Sequence, residues 1–160
     1  MMARVQRMIA VLCLLCLPTV GMGSVSAQEL ITRTKMAAFE DVKFDLENAI
    51  TGRGLVIDHT GNVGGMLDRT GADVGSTKKL YARAEYVVFC SAKLSRAMME
   101  ADPANVAFCP FVVFLYERAD KPGEVVVGAR PPAVQGDAAS RAALSDVVAL
   151  LKGVVDDAVK

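Results

Sequence analysis

The sequence has no run of lysine or arginine, and its 18 basic residues are balanced by 18 acidic ones. That absence removes the electrostatic footprint that nucleic-acid binding requires. Histidine occurs once, as His59, so Ser91 and Ser95 have a single imidazole available as a base, and neither serine lies in a G-x-S-x-G elbow. There is no C-x-x-C-H, which excludes covalent c-type haem attachment. Gly61-Asn62-Val63-Gly64-Gly65 lacks both the GK[ST] end of a phosphate loop and a G-x-G-x-x-G pattern, and reads as a flexible turn. Asp58, Asp68 and Asp73 are spaced as solvated turn residues rather than as an acid/base set. Catalysis is therefore not expected. Internal repeats, low-complexity tracts and interdomain linkers are absent too, and 160 residues bound the chain to one domain. At 52% hydrophobic and 22% charged residues, the composition is that of a folded chain.

What is present begins with an export signal. Arg4 and Arg7 precede an uncharged apolar stretch, Met8 to Leu17. Ten helical residues cover roughly 15 Å, about half of a ~30 Å hydrocarbon core, too short to span a membrane. Small residues follow Pro18, and Val25-Ser26-Ala27 suits signal peptidase, so residues 1–27 are expected to be cleaved and 28–160 to form a single α+β domain. The expected location is the periplasm or the exterior, with no stable membrane anchor after cleavage. Cleavage discards Cys13 and Cys16, whose C-x-x-C spacing is then irrelevant, and leaves Cys90 and Cys109. It also removes Arg4 and Arg7, leaving the acidic residues ahead by two.

Local pattern predicts the order β-α-β-α-β-α-β-β-α. Leu30 to Lys35 reads as an edge strand, and Phe39, Val42, Leu46, Ala49 and Ile50 form a helical stripe that Gly52 and Gly54 end. Leu55-Val56-Ile57 is a short β-type run ending at Asp58-His59, and Met66-Leu67 predicts a helix of two turns. Tyr81 to Cys90 is rich in aromatic and β-branched residues, as a buried strand is. Ser91 can cap a helix through Ala101, which Pro103 stops from continuing. Phe111 to Tyr116 and Glu124 to Val127 form a hairpin about Lys121-Pro122-Gly123. Asp137 caps the last helix, in which Leu144, Val148, Leu151 and Val155 are each expected to be more than nine-tenths buried. The expected fold is α+β, one sheet with helices mainly on one face.

Several of these segments carry a family resemblance. Phe89-Cys90-Ser91-Ala92, then Ser95 through Pro103, then Phe108-Cys109-Pro110-Phe111 resembles the domain-of-unknown-function family 302. So do Gly52-Arg53-Gly54-Leu55, Met66-Leu67-Asp68-Arg69-Thr70 and the hairpin ending Val127-Gly128-Ala129-Arg130-Pro131. The resemblance covers about residues 39–132 and looks nearest to an exported proteobacterial branch. It implies a TATA-binding-protein-like α+β fold and no settled biochemical role. Where relatives of that branch read two arginines before the proline, Ala129 here precedes Arg130.

The chemistry-bearing residues are Cys90, Cys109, Met98 and His59. In an oxidising compartment the two cysteines can form a disulfide, serve as paired free thiols near a ligand, or be unrelated core residues. If their strands are antiparallel, both sulfurs reach one edge. A parallel crossover would separate them by roughly 17–20 Å, far beyond the ~7 Å bridging limit. Thiolate, thioether and imidazole together suit copper, as Cu(I), or haem iron. Against that, Met98 follows Leu94 by four residues, the spacing of a core-filling side chain, and a lone His59 beside glycines is commonly a solvated one. Two expectations of different class follow. One is a periplasmic module holding a soft metal ion or a haem-like cofactor at Cys90, Cys109, Met98 and His59. The other is a disulfide-stapled scaffold that contacts a partner protein through its sheet or glycine-rich loop.

Overall fold

The computed structural model describes residues 29–160; the expected signal segment, with Cys13 and Cys16, lies outside the described residues. The elements are β1 (Ile31–Met36), α1 (Phe39–Thr51), β2 (Val56–Asn62), α2 (Val63–Thr70), β3 (Tyr81–Cys90), α3 (Ala92–Ala101), β4 (Phe111–Arg118), β5 (Glu124–Ala129) and α4 (Ala138–Asp157). The five strands form one antiparallel sheet in the order β1-β5-β4-β3-β2. The architecture is α+β. Among the described residues no helix is long and apolar enough to cross a membrane.

Caps and turns lie where the local chemistry puts them. Ser91 accepts from the Leu94 amide at 3.4 Å and Asp137 from the Ser140 amide at 2.8 Å, opening α3 and α4. Gly52 closes α1, and Gly123 turns the β4–β5 hairpin with φ of 79°. The Gly61–Gly65 stretch is not a free turn. Gly61 belongs to β2, and Asn62 caps α2 by accepting from the Gly65 amide at 2.6 Å. The extra glycines allow close approach instead: a Cβ on Gly61 would lie 2.2 Å from the Tyr86 ring, and one on Gly64 3.0 Å from the Ala84 nitrogen.

Strand alternation sends Val87, Phe89, Val113, Leu115, Val125 and Val127 to one face, where all are fully buried beneath α1 and α4. On α4 the sealed residues are Leu144, Val147, Leu151, Val154 and Val155. Val148 is only half-buried, contrary to its expected place in the core. The stripe facing the sheet passes through Val147, and Val148, one residue on, falls about 100° round the helix at its margin. A 3-10 segment, Pro103–Phe108, lies between α3 and β4 and has no counterpart in the sequence pattern. Its buried Asn105 donates to the Met98 carbonyl at 2.8 Å and to Ser140 Oγ at 2.9 Å, joining α3 to α4.

Among the described residues, Glu85 is the one buried carboxylate on the covered side. Burial pushes its carboxyl up, but Lys43 at 2.7 Å and Arg83 at 3.2 Å outweigh that and hold it below the ordinary range.

Candidate functional site: a thiol pair at the end of the sheet

The antiparallel pairing of β3 with β4 decides where the cysteines go. Phe89 pairs with Phe111, so Cys90 at the end of β3 and Cys109 just before β4 arrive at the same edge. Their sulfurs lie 3.2 Å apart and are not bonded, and both side chains are half-buried. Ser95 Oγ, one turn into α3, is 3.5 Å from the Cys109 sulfur.

A β-bulge supplies a third group. Ile57 pairs with Phe89 and His59 with Val88, which leaves Asp58 as the extra residue of β2. Asp58 interacts with the Cys90 thiol. Burial first, then the Cys109 thiol and the Asp58 carboxylate, push the Cys90 pKa up to about 12. At neutral pH the Cys90 thiol is therefore protonated and a poor nucleophile. No reading of the sequence singled Asp58 out for this position, because a bulge depends on the partner strand's register.

The other two expected residues lie in different surroundings, Met98 in the core cluster against which Cys109 also packs and His59 at the surface. Met98 is fully buried among the core side chains, where Leu94 also packs, and its side chain is committed to that cluster. His59 is exposed, and its ring is tilted against Tyr86 at a centroid distance of 5.8 Å. It shares with Cys90 the sheet face that carries Tyr86 and Val88. Among the described residues no three of His, Cys, Asp and Glu gather into a metal cage.

Comparison with known proteins fits this architecture. A family model described as "Domain of unknown function DUF302" matches residues 31–159, a longer span than the 39–132 that carried the resemblance. The crystal structure of an uncharacterized conserved protein DUF302 from Bacillus stearothermophilus is similar, with a TM-score of 0.67 over 84% of this chain and 100% of that one. Its sequence is 14% identical, so the likeness speaks for the fold alone. No curated protein matches the sequence.

Proposed function

The chain belongs to the DUF302 family, and on that premise we propose that it is an exported, non-enzymatic domain that binds a soft metal ion through Cys90 and Cys109. The supporting observation is the 3.2 Å approach of two half-buried sulfurs at one sheet edge, with Ser95 and Asp58 beside them. Burial contributes most to the raised Cys90 pKa, and the Cys109 thiol and the Asp58 carboxylate add to it. A bound cation would stabilise the thiolate that this environment disfavours. The donor set is two sulfurs with no further convergent ligands, which matches a soft, low-coordinate ion such as Cu(I) better than one demanding a tetrahedral cage. Binding displaces thiol protons, so affinity rises with pH.

The test is an anaerobic Cu(I) titration of the exported protein against a competing chelator. Its intact mass should correspond to a chain beginning at Gln28. The expected result is one tightly held ion, lost in both Cys90→Ser and Cys109→Ser and retained in Met98→Leu. Equal retention by wild type and Cys90→Ser would sink the proposal.

The same distance favours a second reading, a disulfide-stapled interaction scaffold without a ligand. The sulfurs need to close by only about 1 Å to reach the ~2.05 Å of a bond. Thiol titration of protein taken directly from the exported fraction separates the two: two free thiols support the metal site, and none supports the staple.

A further inference from the structure

A surface hollow lies at the end of the sheet where β4 begins and β5 ends. Its volume is about 460 Å³, within the roughly 300–1,000 Å³ of small-molecule sites. Phe108, Pro110, Val112, Pro131 and Pro132 form its walls, and Leu151 of α4 contributes to its floor. Proline has no N–H, so three of these residues bring no backbone donor to the wall. Arg130 is the only charged residue of the lining.

Arg130 differs from most arginines of the molecule. Arg33, Arg53, Arg83, Arg96 and Arg118 each pair with a carboxylate. Arg130 is exposed and makes no ion pair or hydrogen bond among the described residues. A second hollow of about 270 Å³, lined by Leu30, Tyr86, Val112, Phe114 and Arg130, opens on the sheet face that lies away from α1 and α4. The two hollows share Val112 and Arg130. An apolar path therefore runs from the prolines to the aromatic rings, with one uncommitted guanidinium at its junction.

The geometry points to a binding site for a small amphipathic organic anion, whose carboxylate or sulfonate is held by Arg130 and whose apolar body fills the Phe108–Pro132 hollow. A guanidinium presents paired N–H donors in the plane that such a headgroup accepts. Burial of the apolar body supplies the remaining affinity, in proportion to the area removed from water. A cationic or neutral ligand of the same shape would leave the guanidinium without a partner. This site does not depend on the thiol pair.

The experiment follows the fluorescence of 8-anilinonaphthalene-1-sulfonate on the folded chain from Gln28, with decanoate as a displacing ligand. Saturable one-site binding, displaced by decanoate, is expected. Arg130→Gln should weaken the dye by about tenfold, the loss of one charge-assisted hydrogen-bonding group, and should leave the neutral parent 1-anilinonaphthalene unaffected. Ala107 is an exposed residue of the rim, so Ala107→Trp should block the hollow while circular dichroism remains native. Cys90→Ser should bind the dye as wild type does, so loss of Cu(I) binding leaves this inference standing. Equal dye affinity in wild type and Arg130→Gln, absence of binding to the native protein, or failure of decanoate to compete would each overturn it.

Discussion

The two faces of strands β3 and β4 are both apolar, and they differ in what lies over them. On one, Val87, Phe89, Val113 and Leu115 are fully buried beneath helices. On the other, Tyr86, Val88, Val112, Phe114 and Tyr116 are half-buried with α1 and α4 on the far side. The open face protects itself with its own rings. Phe114 and Tyr116 stack at a centroid distance of 6.3 Å, and Tyr81 meets Tyr116 edge-on at 5.5 Å. Glycines lie beneath these rings: a Cβ on Gly128 would come within 2.5 Å of the Phe114 ring, as one on Gly61 would of Tyr86. The covered face stabilises the fold, and the open face has apolar area left to offer a ligand. The hollows about Arg130 lie where the two meet.

The difference can be tested by substitution. On the covered side Leu151 is 1% exposed, so Leu151→Ala should cost about 2–5 kcal/mol of unfolding free energy by denaturant titration. A loss below about 1 kcal/mol would mean that α4 does not seal this face. On the open side the two glycines should respond unequally. A Cβ at Gly128 meets the Ile31 carbonyl oxygen at 2.8 Å as well as the Phe114 ring, and the backbone of β1 cannot yield as a ring can. Gly128→Ala should therefore cost about 1–3 kcal/mol, as overpacking does. Gly61→Ala displaces only the outer end of the Tyr86 side chain and should cost less, with the His59–Tyr86 contact altered in NMR spectra. Equal losses at the two positions would show that the open face is packed as rigidly as the core.

The smallest effect belongs to the edge both faces share. In the reduced protein the Cys90 pKa is raised from an ordinary value near 9 to about 12, so the folded state favours the protonated thiol. The stability this provides is complete below about pH 9 and is lost as pH rises toward 12. Reduced wild type should therefore lose stability more steeply than Cys90→Ser over that interval in denaturant titrations. Parallel curves would mean that Cys90 is solvated.

Much of the fold was legible because its signals are local. Ser91 and Asp137 cap helices through amides three residues away, and Pro103 stops α3 whatever surrounds it. The α1 stripe names its own buried face. The failures share one cause. Val148 was misplaced because Val147 and Val148 are chemically equal and only the contact with the sheet chooses between them. The glycines at 61 and 64 read as a loop because the Tyr86 ring and the Ala84 backbone that require them lie more than 15 residues away. At the site, Cys90 and Cys109 were visible as residue types, whereas Asp58 came within reach only through a bulge. Arg130 stood next to a proline pair, with nothing in the sequence to say that it pairs with no carboxylate among the described residues.

By itself the sequence determined the element order, the caps and the pairing of thiols with an α+β frame, since each depends on contiguous residues and on backbone hydrogen bonding within a few positions. Only the tertiary structure decided that β3 and β4 run antiparallel, which face the helices cover and which side chains meet at the sheet's end. Those outcomes depend on burying apolar surface between segments far apart in the chain, and period-two alternation cannot choose a face when both of its faces are apolar.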